Sequence, residues 1–108
     1  MGSEKKLSQV ADIIMGQSPK GNTYNDYGKG VPLLNGPSEF GNINPIPNKW
    51  TTDPKRFSKP GDILFCVRGS TGRMNWSDKE YSLGRGLCAI RAKSGDSIDT
   101  NFIYYSLK

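Results

Sequence analysis

The stretch Gly61-Asp62-Ile63-Leu64-Phe65-Cys66-Val67-Arg68-Gly69-Ser70-Thr71-Gly72-Arg73, with its continuation Leu83-Gly84-Arg85-Gly86-Leu87-Cys88-Ala89-Ile90, decides the fold of this chain. Each half contains a continuous apolar run, Ile63–Val67 and Leu87–Ile90, bounded by glycine and polar residues. Short apolar runs between turn signals suit interior strands buried on both faces. The unit they predict is a pair of buried strands with an arginine-rich loop between them. Arg68, Arg73 and Arg85 fall immediately beside the ends of these runs, where a rigid core can hold a guanidinium in place. Arginines also keep small domains soluble, and the pattern alone leaves both roles open.

Working outward, the N-terminal side begins with Leu7, Val10, Ala11, Ile13 and Ile14, with Ser8 able to cap a short turn. The preferred reading is a short helix through Ala11 followed by a strand through Met15, and the run is too short for periodicity to separate the two. Gly16-Gln17-Ser18-Pro19-Lys20-Gly21 breaks it, since Pro19 holds Ser18 extended and the glycines permit bends on either side. Gln17 and Ser18 can then point outward from a defined loop, or simply form a turn. Asn22–Gly30 reads as a long polar loop in which Tyr24 and Tyr27 either anchor the loop or present rings and hydroxyls to bases and phosphates. Val31-Pro32-Leu33-Leu34 adds a strand, with Pro32 favouring a strand start or an edge, and Asn35-Gly36-Pro37 closes it.

Between residues 38 and 48, Phe40, Ile43 and Ile46 stand among glycine, asparagine, Pro45 and Pro47. The expectation is an ordered irregular segment whose apolar side chains enter a core, because the prolines withhold ladder donors. Trp50-Thr51-Thr52 suits a short strand or turn, and Lys55-Arg56-Phe57 a local turn or brief helical segment with Phe57 as its anchor. Met74-Asn75-Trp76 reads as loop, with Trp76 partly buried. At the far end Ile98, Phe102, Ile103, Tyr105 and Leu107 follow Asp99, a plausible N-cap for a helix from Thr100. That helix reaches Lys108 without a C-terminal cap, which predicts either a fragment or a terminus supported by packing from outside the chain.

Composition bounds the function. The 108 residues allow one small core, and the formal charge of +5 permits nucleic-acid binding without demanding it. Between Lys49 and Arg73 the basic residues Lys49, Lys55, Arg56, Lys59, Arg68 and Arg73 face only Asp53 and Asp62, so most of the net charge lies mid-sequence. Histidine is absent, which removes the commonest neutral-pH acid–base group and most catalytic zinc sets. Cys66 and Cys88 lie inside apolar runs and read as reduced, structural residues, neither a disulfide nor a metal pair. No cofactor or metal site is expected. No apolar stretch approaches the length of about 18 residues needed to span a membrane, and no signal-like segment follows Met1, so a cytoplasmic chain is expected.

The order Val10-Ala11-Asp12-Ile13-Ile14-Met15-Gly16-Gln17-Ser18-Pro19, Tyr24-Asn25, Val31-Pro32-Leu33-Leu34-Asn35-Gly36, Phe57, Lys59-Pro60-Gly61-Asp62-Ile63-Leu64-Phe65, Val67-Arg68-Gly69, Gly72 and Gly84-Arg85-Gly86-Leu87-Cys88-Ala89-Ile90-Arg91 resembles the opening of a target recognition domain. The family is the DNA specificity subunit (S subunit) of type I restriction-modification systems. Single glycine motifs are weak signals, but their combined order covers nearly all of the chain from Leu7 to Leu107.

The resemblance implies an α/β, strand-dominated mixed domain with short helices and long ordered loops, truncated relative to the family domain. Residues 7–108 would form the partial target recognition domain and residues 1–6 a flexible N-terminal segment. It also implies a non-catalytic reader of double-stranded DNA. In the family two such domains, separated by long helices, each read half of a bipartite site. Modification subunits bind S-adenosylmethionine and methylate adenine, and restriction subunits translocate and cleave. This chain carries neither an Asn/Asp-Pro-Pro-Tyr methyltransferase motif nor a Walker-type phosphate loop. The DNA-binding candidates are Gln17, Ser18, Tyr24, Arg68, Ser70, Thr71, Arg73 and Arg85, with Lys55 and Lys59 as long-range attraction. The competing expectation is a fragment that does not bind DNA and acts as a structural module for the modification subunits.

Overall fold

Side-chain alternation along one strand sets the layering of the molecule. In the computed structural model, which describes residues 11–68, 71–93 and 100–107, the strand β8 (Leu87–Ala92) is paired on both sides. Its neighbours are β1 (Ala11–Met15) and β5 (Ile63–Cys66), both antiparallel to it. The strand β6 (Met74–Trp76) completes the four-stranded sheet in the order β1-β8-β5-β6. Successive side chains of a strand point to opposite faces. Leu87 and Ala89 accordingly join Leu64, Cys66, Leu34, Tyr81 and Leu83 in one buried cluster, while Cys88 and Ile90 join Ala11, Ile63 and Ile103 in another. A strand clothed on both faces needs apolar residues at every position, which is why Leu87–Ile90 is a continuous apolar run.

The first cluster lies between this sheet and a second one, built from β2 (Tyr24–Asn25), β3 (Val31–Leu34), β4 (Lys49–Thr51) and β7 (Ser82–Leu83) in the order β2-β4-β3-β7. The β3–β7 pair is parallel and the other pairs are antiparallel. The second cluster is covered by α1 (Thr100–Leu107), from which Ile103 enters the core. The Thr100 hydroxyl accepts the Ala92 N–H at 3.2 Å, and Trp76 stacks on Tyr104 with ring centroids 4.7 Å apart. The two runs that announced the fold are thus interior: Ile63, Leu64, Cys66 and Leu87–Ile90 are buried, and Phe65 and Val67 are half-buried.

Several local expectations are corrected. Ala11 belongs to strand β1 rather than to a helix, because its partner Ala92 extends the ladder that far. The stretch before it, including Ser8 and the segment 1–6, lies outside the described residues, as do Ile98, Asp99 and Lys108. Tyr24-Asn25 is a short strand, not loop, because Thr51 and Trp50 provide its pairing edge. Pro32 marks the start of a strand and not an edge: it is the second residue of β3, which sits between β4 and β7, and the β7 ladder begins only at Leu33 and never requires the N–H that proline lacks. Met74–Trp76 is a strand against β5.

Ile43 and Ile46 do not enter a core and are 64% and 72% exposed. Their loop is fastened instead by polar contacts to β6. The Trp76 N–H donates to the Ile43 carbonyl at 2.7 Å, the Asn44 amide donates to the Trp76 carbonyl at 2.8 Å, and the Asn75 amide exchanges two bonds with Gly41. Phe57 is likewise exposed, and the anchor of its turn is the adjacent Ser58. The buried Ser58 hydroxyl bonds that of Ser77 at 2.7 Å and accepts the Tyr81 N–H at 3.1 Å.

One charged pair is embedded in the body. Asp62, 2% exposed, meets the Arg91 guanidinium at 2.6 Å and also accepts the Lys59 N–H at 2.8 Å. These bonds fix the turn that launches β5, since a buried carboxylate must find donors.

Both cysteines are free and buried. Burial, reinforced by the neighbouring Cys66, pushes the Cys88 thiol from its ordinary 9.0 up to about 11. The folded state then resists ionisation that the unfolded chain undergoes, so stability is intact below pH 9 and falls as pH rises toward 11. The loss is roughly 1.4 kcal/mol per pH unit at its steepest. The Tyr81 phenol, raised by burial and by its bond to Asp78, adds a loss of the same sign at higher pH. Urea midpoints at pH 8 and pH 10 are expected to drop between the two values, and to drop less in Cys88→Ala.

Candidate nucleic-acid interface

The pairing directions bring four strand termini to one end of the first sheet. Because β1 and β5 both run antiparallel to β8, with Met15 opposite Cys88 and Cys66 opposite Leu87, the exits of β1 and β5 and the entry of β8 share that end. β6 enters there too, since Met74 lies opposite Phe65. Gln17 and Ser18 follow β1, Arg68 and Thr71 follow β5, Arg73 precedes β6, and Arg85 precedes β8.

A mesh of backbone bonds locks this end. Gly16 N–H donates to the Leu87 carbonyl at 2.9 Å, Gln17 N–H to Leu83 at 3.0 Å, and Val67 N–H to Gly86 at 2.9 Å. The second sheet is tied in by the Gly84 N–H, which donates to the Leu34 carbonyl at 2.8 Å. The approach is too close for side chains: a Cβ on Gly16 would stand 1.9 Å from the Gly84 oxygen, and one on Gly86 would stand 3.0 Å from the Asn35 oxygen and 3.8 Å from the Arg68 Cβ. Glycine is required because three backbones meet, and Arg68, Arg85 and Asn35 are consequently neighbours around Gly86.

The eight sequence candidates divide by what their side chains do. Gln17, Arg68, Thr71, Arg73 and Arg85 are exposed at this end. Among the described residues the ion pairs are Lys55–Asp53 and Arg91–Asp62, so none of these three arginines is bound to a carboxylate there. Arg73 lies over the Phe40 ring with its guanidinium carbon 5.8 Å from the centroid, a contact that orients a cation without neutralising it. Ser18 is half-buried and its hydroxyl accepts the Arg85 N–H at 3.1 Å, so it fixes the loop that carries Arg85. Tyr24 comes from the second sheet and its phenol donates to the Pro19 carbonyl at 3.3 Å, clamping the Gln17-Ser18 loop. Ser70 lies outside the described residues. The lysines are not brought to the arginines: Lys59 precedes β5 at the opposite end of the sheet, and Lys55 is paired with Asp53 at 3.0 Å.

Sequence reasoning overlooked Phe40 as the ring under Arg73 and Asn35 as a member of this surface. The first had no local signal, because the two residues are far apart in the chain. The second stood in an Asn-Gly-Pro turn, where asparagine is expected for backbone reasons alone.

This geometry can be set beside known proteins. Residues 3–108 match the family described as the type I restriction modification DNA specificity domain. The chain belongs to that family. This specificity domain is 40% identical over 107 residues to a Methanocaldococcus jannaschii protein that carries the name type I restriction enzyme MjaX specificity subunit, covering 99% of this chain and 24% of that protein. It superposes on the crystal structure of the HsdS subunit from Thermoanaerobacter tengcongensis with a TM-score of 0.89 and 40% identity, over 95% of this chain and 26% of that one. A chain from a structure of the type I R-M system, solved to address complex assembly and conformational transition, gives a TM-score of 0.88 at 37% identity, over 98% of this chain and 28% of that one. The specificity domain thus spans about a quarter of the length of these relatives, and its strand-dominated mixed α/β fold is theirs.

Proposed function

We propose that this specificity domain reads double-stranded DNA through the end of the first sheet, as one portion of a type I restriction-modification specificity subunit. The observation that carries the reading is the placement of Arg68 and Arg85 on two different strand termini, either side of Gly86 and braced by backbone bonds. Arginines whose backbones are fixed in this way can extend their guanidiniums to fork onto guanine O6 and N7 or to clamp a phosphate. Arg73 and the exposed Gln17 and Thr71 extend the same surface, and Ser70 is a further candidate on the sequence alone. Ser18 and Tyr24 hold the loops in position.

Residues 7–108 serve as a partial target recognition domain. Methylation and cleavage belong to modification (methyltransferase) and restriction subunits, with which the whole subunit assembles in the cytoplasm, and this portion has no catalytic step. No helix among the described residues is long and apolar enough to cross a membrane. Membership of a DNA specificity family favours this reading over a module that only docks onto modification subunits. The test is a duplex selection at two salt concentrations with the specificity subunit assembled on its modification subunits. An enriched sequence whose affinity falls steeply with salt is the expected result. Failure to enrich any sequence at either salt overturns the reading.

A further inference from the structure

We infer that Asn35 is a base-reading residue that takes adenine in the major groove, an inference that rests on the DNA reading proposed above. Three described asparagines spend their amides on the protein: Asn25 bonds Lys29 and Tyr27, Asn44 bonds the Trp76 carbonyl, and Asn75 bonds Gly41. Asn35, like the exposed Asn22, Asn42, Asn48 and Asn101, does not, and what sets Asn35 apart from those four is its place against Gly84 and Gly86 beside the arginines. Its backbone is fixed and its exposed side-chain amide makes no hydrogen bond to any described residue.

The fixation is specific to this place. Asn35 follows the last residue of β3, where the Leu34 carbonyl accepts the Gly84 N–H. Its own N–H and that of Gly36 both donate to one oxygen of Glu39, at 2.8 and 3.2 Å, and the Ser38 hydroxyl bonds the other oxygen. Glu39 is thereby occupied with donors, which reduces the repulsion a carboxylate would exert on an approaching phosphate. On the other side Asn35 packs against chain that has no side chains to intervene. Cβ atoms at Gly84 and Gly86 would stand 2.9 Å from the Asn35 Oδ1 and 3.0 Å from the Asn35 carbonyl oxygen. Asn35 is therefore held beside Arg68 and Arg85 at a rigid seam between the two sheets, its Oδ1 resting against Gly84, and rotation of this exposed side chain turns the amide outward to a base edge.

The chemistry selects the base. A primary amide offers one acceptor and one donor side by side, matching the N6–H donor and N7 acceptor of adenine, whereas guanine presents two acceptors that suit the neighbouring arginines. Asn35 is thus a specificity-determining residue and Glu39 a positioning residue that holds it.

The experiment uses the specificity subunit assembled with its modification subunits, wild type and Asn35→Ala, in duplex selection followed by binding to the selected site. Asn35→Ala is expected to lose the preference for adenine at one position, on the order of tenfold or more, while the other selected positions are kept. Replacing the adenine at that position by 7-deazaadenine should weaken wild type by a similar factor and leave Asn35→Ala unaffected. Glu39→Gln should blunt the same preference. The 7-deaza scan of wild type needs no variant, so it answers even if a substitution unfolds the domain. If no adenine of the selected site is sensitive to 7-deaza substitution, or Asn35→Ala selects the same site with the same ratios, Asn35 is not a reader although the DNA function stands. If wild type selects nothing, both readings fall together.

Discussion

Gly16→Ala is expected to cost about 3 kcal/mol or more of folding stability, enough to unfold a domain of this size or leave it marginal. The added methyl would stand 1.9 Å from the Gly84 oxygen, 2.7 Å from the Leu87 oxygen and 2.9 Å from the Gly84 carbonyl carbon. All three are backbone atoms, so no side chain can rotate away to relieve the overlap. Separating them would stretch the Gly16–Leu87 bond and the β8 entry, and with it the second sheet, which is tied to Gly84 through Leu34. The matched control is Gly21→Ala, where a methyl meets nothing within 4 Å. Chemical denaturation should show the first variant strongly shifted and the second within about 0.5 kcal/mol of wild type. A Gly16→Ala protein with the wild-type midpoint would mean that the three-backbone junction is looser than its geometry requires.

The contrast between these two glycines shows where sequence reading reaches its limit. Gly16 and Gly21 flank the same loop and carry the same local signal for a bend, yet only one touches another strand. Continuous apolar runs located β5 and β8 correctly, because a strand buried on both faces must be apolar throughout, and that requirement is written within a few residues. β6 escaped notice because Asn75 occupies its buried middle position and spends its amide on Gly41 and on the Met74 carbonyl. A polar residue satisfied by a distant loop is indistinguishable, in sequence, from a polar residue in water. The same reason hid the fate of Ile43 and Ile46, whose loop is held by its backbone and not by its side chains.

For the interface, the chain order showed that Arg68, Arg73 and Arg85 flank strands but not that their strand ends coincide. Coincidence follows from the antiparallel registry of β1, β5 and β8, which is a tertiary fact. The registry also separates Lys59 from the arginines, although it lies nearer to Arg68 in sequence than Arg85 does. Ser18 was legible as a loop residue while Tyr24 proved to lie in β2, and their bonds to Arg85 and Pro19 give each a holding role.

The largest functional loss is expected from Arg68→Ala combined with Arg85→Ala. Both side chains are exposed and neither is ion-paired among the described residues, so removing them should leave the denaturation midpoint nearly unchanged. Each charge that sits on a phosphate contributes about one unit to the dependence of log affinity on log salt, and its loss weakens all sequences alike. Each guanidinium that forks onto guanine instead carries roughly 1 to 3 kcal/mol of discrimination at one position. Either way a single replacement should cost about tenfold, and the pair on the order of a hundredfold if the two act independently. Lys59→Ala with Lys79→Ala removes the same formal charge from the opposite end of the sheet, where β5 begins and β6 ends, and should cost far less. Titrating the assembled subunit with its selected duplex at two salt concentrations separates these outcomes. Equal losses from the two double variants would reduce the effect to net charge and remove the case for a localised reading surface. A loss confined to Arg68 and Arg85 would tie recognition to the strand termini around Gly86, where the antiparallel registry and the absence of glycine side chains fix the backbone from which both arginines extend.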